Sequence, residues 1–399
     1  MTTRSTTDIE WRPHAARLAD ELVAAGKLTD PRLADAARSV PRHVFIPTYH
    51  RQTPNGSWTE HTSIEDLAAV YANTALITAL ATTPTGPTVL SSSTQPGLMT
   101  RMIEALRLGD GMRVLEIGTG TGYNAALLSH LLGERQVFSL DIEAGLVDLA
   151  RSRLAGLGLH PTLVAGDGAA GLPGHAPFDA IIATCAVAAI PAAWIEQVEP
   201  GGVILTDLKI APGAGSLVRL ARTTDTSAEG RFDATYAAFM DLRHTPGNAR
   251  PTFPVDRDHG DADYGTTSLD PNTPWTNLLV WFLASFALGP DIAYGYTLPP
   301  GSAIPAYSNT APTASWIATP DGSWTEVALA EQNGLHVVAE NGPRRLWRLV
   351  EHAHQTWVEL GRPGWDAFGL TVTGERQTAW FDHPGSGHTW PLPTRAWRQ

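Results

Sequence analysis

Short apolar runs, each closing on a glycine or an acid and separated by helical stretches, set the pattern of the middle of the chain. Val114-Leu115-Glu116-Ile117 reads as a buried parallel strand that breaks into Gly118, Gly120 and Gly122 before a helix over 125–132. Residues 137–141, 162–168 and 178–184 read as three more strands, and 199–205 as a turn into a fifth. Strands alternating with helices predict an α/β fold, a Rossmann-like doubly wound sheet whose ligand crevice lies at the carboxyl ends of the strands. Upstream, Ala15, Leu18, Leu22 and Val23 recur at helical spacing up to Gly26, and a second helix over 31–40 starts on a proline, which costs nothing in a first turn. Residues 41–47, Pro-Arg-His-Val-Phe-Ile-Pro, read as an extended linker with two buried apolar side chains. Residues 216–221 and 234–242 read as a closing hairpin.

The glycine spacing lets backbone N–H groups approach a ligand at a helix start. Glu116 sits inside the motif, where a pyrophosphate is repelled, and no Gly-Lys-Ser/Thr follows, so the favoured guest is cationic. Asp141, 25 residues beyond Glu116, is placed to accept both ribose hydroxyls of an adenosine, and Asp167 to take an adenine amino group. Each also reads as a turn or cap aspartate. The strand series with Glu-Ile-Gly-Thr-Gly-Thr-Gly resembles the class I S-adenosylmethionine (SAM)-dependent methyltransferases. That resemblance implies SAM as cofactor, S-adenosylhomocysteine as product, and a binding set of Ser92, Glu116, Gly118, Thr119, Gly120, Thr121, Gly122, Asp141, Ile142, Asp167, Gly168 and Thr184.

Composition narrows the classes. A 399-residue chain with 43% hydrophobic residues has ample material for a packed core. A formal charge of −12 gives no basic footprint for nucleic acid or an anionic membrane. The single cysteine, Cys185, allows no intramolecular disulfide, and the first eight residues carry no apolar signal region, so the expectation is a cytoplasmic protein. The longest apolar run, 278–288, is too short to span a bilayer and reads as a core helix. The histidines at 352, 354, 383 and 388 lack metal-ligand spacing, so no metal is expected.

Two N-terminal helices, Pro41-Arg42-His43-x-Phe45-x-Pro47, a stretch around Tyr71, and Ser93-Thr94-Gln95-Pro96 precede the glycine motif in one order. That order resembles the protein-L-isoaspartate O-methyltransferase family over about residues 10–245. The family segment usually reads Ile-Ser-Gln-Pro, with its serine between methyl donor and acceptor carboxylate, and here Thr94 stands at that serine. The hydroxyl is retained, but the extra methyl stiffens the side chain and reshapes the pocket. The resemblance implies Thr94 and Ser93 as the catalytic, carboxylate-orienting pair, with Gln95 and Arg243 toward the substrate. Arg243 reads equally as a surface arginine, and a Ser/Thr cluster before a helix reads otherwise as a cap or turn.

Four segments are therefore expected: an N-terminal helical and cap region over 1–90, a SAM-binding core over 91–245, a linker over 246–275, and a C-terminal α+β substrate-recognition module over 276–399. From residue 275 onward the chain holds ten of its 13 tryptophans, which serve as core or as a peptide platform. Residues 313–319 and 323–329 flank a Pro-Asp-Gly turn as a hairpin, 336–340 adds a strand, Pro343 opens a helix, and 368–373 and 378–381 are the last strands. Such an extension, with Ser-Ser-Ser-Thr-Gln-Pro and the Gly342-Pro343-Arg344-Arg345-Leu346-Trp347 and Gly361-Arg362-Pro363-Gly364 segments, resembles methyltransferases that accompany ATP-grasp enzymes in maturing ribosomal peptides of the graspetide type. It implies methylation of an aspartate in a cyclised precursor and closure of the ester to an aspartimide. The precursor and its ATP-grasp ligase are the implied partners, and removing the C-terminal module should abolish peptide turnover and spare SAM binding. The alternatives are an isoaspartyl repair enzyme with an added domain and a non-catalytic SAM-fold scaffold.

Overall fold

The structure is a computed structural model that describes residues 10–54, 56–83, 86–245, 253, 255–299 and 311–393. Prolines in the first turn open helices α1 (Arg12–Ala24) and α2 (Pro31–Ser39), and the Asp30 carboxylate caps α2 by accepting the Arg32 N–H at 2.8 Å. Residues 41–47, expected to be extended, instead wind into a short helix α3 (Arg42–Phe45). The cause is burial: Phe45 is wholly inside, and the Arg42 guanidinium finds backbone carbonyls there that an extended chain would not reach. Strands β1 (Thr48–Gln52) and β2 (Trp58–Thr62), helix α4 (Leu67–Val70), strands β3 (Leu76–Thr83) and β4 (Gly86–Ser93), and helix α5 (Pro96–Ala105) complete the N-terminal region. Its strands form an antiparallel sheet in the order β2-β1-β3-β4.

The central region follows the alternating pattern: β5 (Val114–Ile117), α6 (Tyr123–Leu132), β6 (Val137–Asp141), α7 (Ala144–Ala155), β7 (Thr162–Ala165), β8 (Phe178–Val187), α8 (Ala192–Gln197), β9 (Val198–Ala211), β10 (Ala214–Thr224) and β11 (Ser227–Phe232). Strands β9, β8, β5, β6 and β7 lie parallel in that order, and β10 and β11 add antiparallel beyond β9. The closing hairpin is thus β10 with β11, and residues 234–242 are not the strand expected of them. Their N–H groups are drawn elsewhere: Phe239 N–H donates to the buried Asp207 carboxylate at 2.8 Å, Ala237 N–H to the Ser216 hydroxyl at 3.2 Å, and only Asp241 bridges the sheet, beside Ala186.

The remaining elements are β12 (Asp263–Thr267), α9 (Thr273–Thr276), α10 (Leu278–Leu288), β13 (Ala293–Thr297), β14 (Ala314–Ala318), β15 (Trp324–Gln332), β16 (Leu335–Asn341), α11 (Leu346–Glu359), β17 (Phe368–Thr373), β18 (Arg376–Phe381) and β19 (Thr389–Pro391). Five strands make a second antiparallel sheet in the order β12-β16-β15-β14-β13, with the expected β14–β15 hairpin turning through Gly322 at φ 84°. Part of the expected linker is therefore structure, since β12 pairs with β16 and α9 follows; residues 246–252 and 254 lie outside the described set.

The expected C-terminal module is not self-contained. Strand β17 pairs antiparallel with β11, with Ala228 opposite Val372, and β18 and β19 continue outward, so one sheet runs β19-β18-β17-β11-β10-β9-β8-β5-β6-β7. An uncovered β11 edge would leave a row of unpaired N–H and C=O groups, and β17 satisfies them. The core is shared as well. Leu115 and Ile117 of β5 point into the same apolar cluster as Trp281 and Phe282 of α10 and Leu346 and Val350 of α11, whereas Val114 points to the opposite face, packed with α1, α2, α6 and α7. The Trp281 indole donates to the Pro212 carbonyl between β9 and β10 at 2.9 Å. No helix among the described residues is long and apolar enough to cross a membrane.

Candidate active site

The site forms where β5 runs out. Gly118 (φ 101°) has no room for a side chain, because a Cβ would lie 2.6 Å from the Thr184 hydroxyl, which donates to the Gly118 carbonyl at 2.9 Å and clamps the turn to β8. Gly120 donates its N–H to Asp141 Oδ2 at 2.9 Å, and Glu143 N–H donates to Asp141 Oδ1 at 3.0 Å, so the carboxylate at the end of β6 is pinned to the glycine turn. Burial pushes the Asp141 carboxyl above its ordinary value, against the pull of those two N–H donors. Below the turn, Glu116 is fully enclosed; Asn124 Nδ2 donates to one oxygen at 2.6 Å and the Ser139 hydroxyl to the other at 2.5 Å. Burial outweighs both donors and pushes Glu116 up to about 7.

The opposite wall comes from residues 90–95. Arg42, wholly buried, reaches across from α3 and donates to the carbonyls of Val70 (2.9 Å), Ala72 (3.1 Å), Thr74 (3.4 Å) and Thr94 (3.3 Å) and to the Ser93 hydroxyl (3.4 Å). Burial lowers its guanidinium to about 10, still protonated at neutral pH. Beside it His43 Nδ1 and the Tyr71 hydroxyl lie 2.9 Å apart, both buried. A cation spent on five acceptors fixes where Ser93 and Thr94 stand. The Pro-Arg-His segment was visible in the sequence, but no periodicity marks an arginine that works from inside.

These walls enclose one cavity of about 500 Å³. Of the residues expected at the site, Ser92, Ser93, Thr94, Gln95, Glu116, the turn from Gly118 to Thr121, Asp141, Ile142, Gly168, Thr184 and Arg243 all border it. Two do not. Gly122 (φ 87°) starts α6 and packs on Ala150, where a Cβ would come within 2.9 Å, so its glycine serves helix packing. Asp167 takes the Ala169 N–H at 2.9 Å on one oxygen and faces His244 Nδ1 at 2.9 Å with the other, so both its oxygens already have partners. Two substrate-side expectations meet internal partners. Arg243 is ion-paired with Glu143 at 2.6 Å and donates to the Leu90 carbonyl at 3.3 Å, and the Gln95 amide donates to the Asn73 carbonyl at 2.9 Å. Both shape the wall through these internal bonds.

Of a third wall only Arg243 was legible in the sequence. Residues 235–243 border the cavity as a non-strand strap, held from behind by Lys209, which donates to the Phe239 carbonyl and to Asp241 Oδ1 at 3.1 Å. Asp207, buried beside Lys209, is pushed up to about 6 by burial. Among the described residues no group of three or more His, Cys, Asp or Glu is arranged to hold a metal ion.

Comparison with known proteins agrees with this geometry. The sequence profile of the family Protein-L-isoaspartate(D-aspartate) O-methyltransferase (PCMT) matches residues 14–241. The chain is 38% identical to a protein-L-isoaspartate O-methyltransferase of Methylorubrum extorquens over 58% of its own length and 88% of that protein. It is 32% identical to the one of Ignicoccus hospitalis, over 51% of this chain and 86% of the relative. A solved structure described as protein-L-isoaspartate O-methyltransferase shares the fold at a TM-score of 0.51 and 23% identity, covering 90% of this chain and 96% of that one. The donor set fits the family's cofactor: a pinned acceptor carboxylate at Asp141, side-chain-free backbone at Gly118 and Gly120, and an acid below the turn suit an adenosine that carries a sulfonium. The chain belongs to the protein-L-isoaspartate O-methyltransferase family and is a SAM-dependent protein carboxyl O-methyltransferase.

Proposed function

We propose that this enzyme methylates the side-chain carboxylate of an aspartate in a cyclised, ribosomally made peptide of the graspetide type, and that the ester then closes to an aspartimide. The observation that supports it is a single cavity bordered on one side by the Gly118–Thr121 turn and Asp141 and on the other by Ser92, Ser93 and Thr94, with threonine where the family usually has serine.

Bound SAM supplies a methyl group activated by its sulfonium. An aspartate side chain, with an unperturbed pKa of about 3.9, is already ionised at neutral pH, so the chain need not supply a general base. Its task is orientation, with reacting atoms held about 3–3.5 Å apart. The Thr94 hydroxyl donates to one carboxylate oxygen and leaves the other free to react, and Arg42 fixes Thr94 through its carbonyl. In the methylated peptide the next backbone nitrogen attacks the ester carbonyl. A C–N bond forms, the C–O bond breaks, and methanol leaves with the amide proton. The cyclised precursor, the product of an ATP-grasp ligase, holds its aspartate in a constrained loop that favours this closure.

Isoaspartyl repair is the second reading, supported by the family match and by the solved structure that parallels 90% of this chain, C-terminal region included. Mass spectrometry of SAM reactions on a plain L-isoaspartyl peptide and on a cyclised precursor separates the two. Methyl gain followed by methanol loss on the cyclised peptide alone is the expected result, and turnover of the plain peptide moves the assignment to repair.

A further inference from the structure

The N-terminal sheet has two edges of different chemistry. Its β2 edge carries Glu60 and His61, the kind of polar charge that discourages another strand from adding. The β4 edge, Gly86–Ser93, carries no charged residue, and among the described residues no strand pairs with its outer side. Pro87 sits near the hairpin tip, and from Thr88 to Ser93 every residue keeps its N–H. In the β3–β4 hairpin the described residues from Ile77 to Leu90 are half-buried or exposed, and Leu76, Ser91 and Ser93 at its base are buried. An uncharged edge of this length with no strand beside it is a template for strand addition unless something covers it.

What lies at its end says what covers it. Leu90, Ser91, Ser92 and Ser93 border the cavity, and the next residue is Thr94. The Leu90 carbonyl already accepts from Arg243, so the strand's backbone is satisfied in part from outside β3. We propose that β4 is the docking edge for the substrate peptide, which adds to it in extended form, main chain to main chain along Thr88–Ser93, and so delivers its acceptor carboxylate to Thr94. Main-chain hydrogen bonds then supply affinity, and alternate side chains set specificity. This rests on the proposed reading that one of the two peptides above is the acceptor, whichever of the two it is.

The experiment compares Thr88→Pro and Val89→Pro. Successive N–H groups of a strand point to opposite sides, so one variant loses an outward donor and the other an inward one. KM is measured for whichever of the two peptides above turns over, with SAM affinity as the check on folding. We expect one variant to raise peptide KM about tenfold or more with SAM affinity unchanged and kcat little altered. Unchanged peptide KM in both variants, with SAM still bound, overturns the docking edge and leaves the methyltransferase reading intact. Should both variants misfold, hydrogen exchange on the unaltered enzyme decides: peptide-dependent protection of alternate amides in 86–93 supports the proposal, and its absence ends it. A dimer of the free enzyme that Val89→Pro or Thr88→Pro dissolves without touching peptide KM assigns the edge to a second copy and overturns it. Failure to methylate either peptide refutes the substrate reading and this proposal together.

Discussion

The two halves of the ten-stranded sheet do different work. In the parallel half, β9-β8-β5-β6-β7, the carboxyl-end portions of β5, β6 and β8 border the cavity, and the chemistry sits there: Gly118 and Gly120 in the turn after β5, Asp141 at the end of β6, and Thr184 in β8. In the antiparallel half, β10-β11-β17-β18-β19, no strand end carries a site residue; that half carries weight. There the C-terminal region closes the β11 edge and adds Trp281, Phe282 and Trp365 to the central core. A region that follows the methyltransferase core in sequence has thus become part of its support.

Truncation after residue 245 gives the largest expected effect. It strips the β17 partner from β11 and exposes the apolar face under α10, so the fragment should aggregate or lose cooperative unfolding, where a separable module would have left SAM binding intact. A soluble 1–245 fragment with normal SAM affinity, measured by calorimetry, would break the comparison. Trp281→Ala is milder: losing a fully buried indole and its bond to Pro212 should cost about 3–5 kcal/mol in denaturant unfolding. Arg42→Met leaves a ring of buried acceptors unpaired on the catalytic side and should cost about 3 kcal/mol while loosening Thr94, so both unfolding midpoint and turnover fall.

Thr94→Ala should lower peptide kcat/KM by about ten- to a hundredfold with SAM affinity unchanged, and Thr94→Ser should retain rate and shift preference toward the plain isoaspartyl peptide. Unaltered kinetics for Thr94→Ala would remove the orienting hydroxyl from the mechanism. The smallest effect is in pH. Glu116 is raised from its ordinary value to about 7, so between the unfolded value and 7 the folded state holds a proton the unfolded state has lost, and its stability contribution falls as pH rises through that window. A bound sulfonium favours the ionised form, so SAM affinity should rise several-fold from about pH 6 to about pH 8, while affinity for the uncharged-sulfur product stays flatter. Glu116→Gln should flatten the SAM profile; a slope that persists moves the titration to another group, Asp207 first.

The glycine turn, the order of β5 to β8 and the buried helix at 278–288 were legible in the sequence, because each rests on a local rule: strand and helix periodicity, glycine where φ is positive, and proline at a first turn; the residues at 92–95 stood out only through the family resemblance. Those rules also placed Asp141 at the end of its strand. What the tertiary structure alone decided is which partner each group met. Arg42 became a buried clamp because carbonyls from residues 70–94 converge on it. Residues 234–242 gave up a strand to the pull of Asp207 and Ser216. Arg243 turned to Glu143. The C-terminal strands joined the central sheet because the open β11 edge lay where they could pair. Hydrogen-bond satisfaction and apolar burial are settled between residues far apart in the chain, and no spacing along it encodes which of several chemically equivalent partners will be nearest once the core has closed.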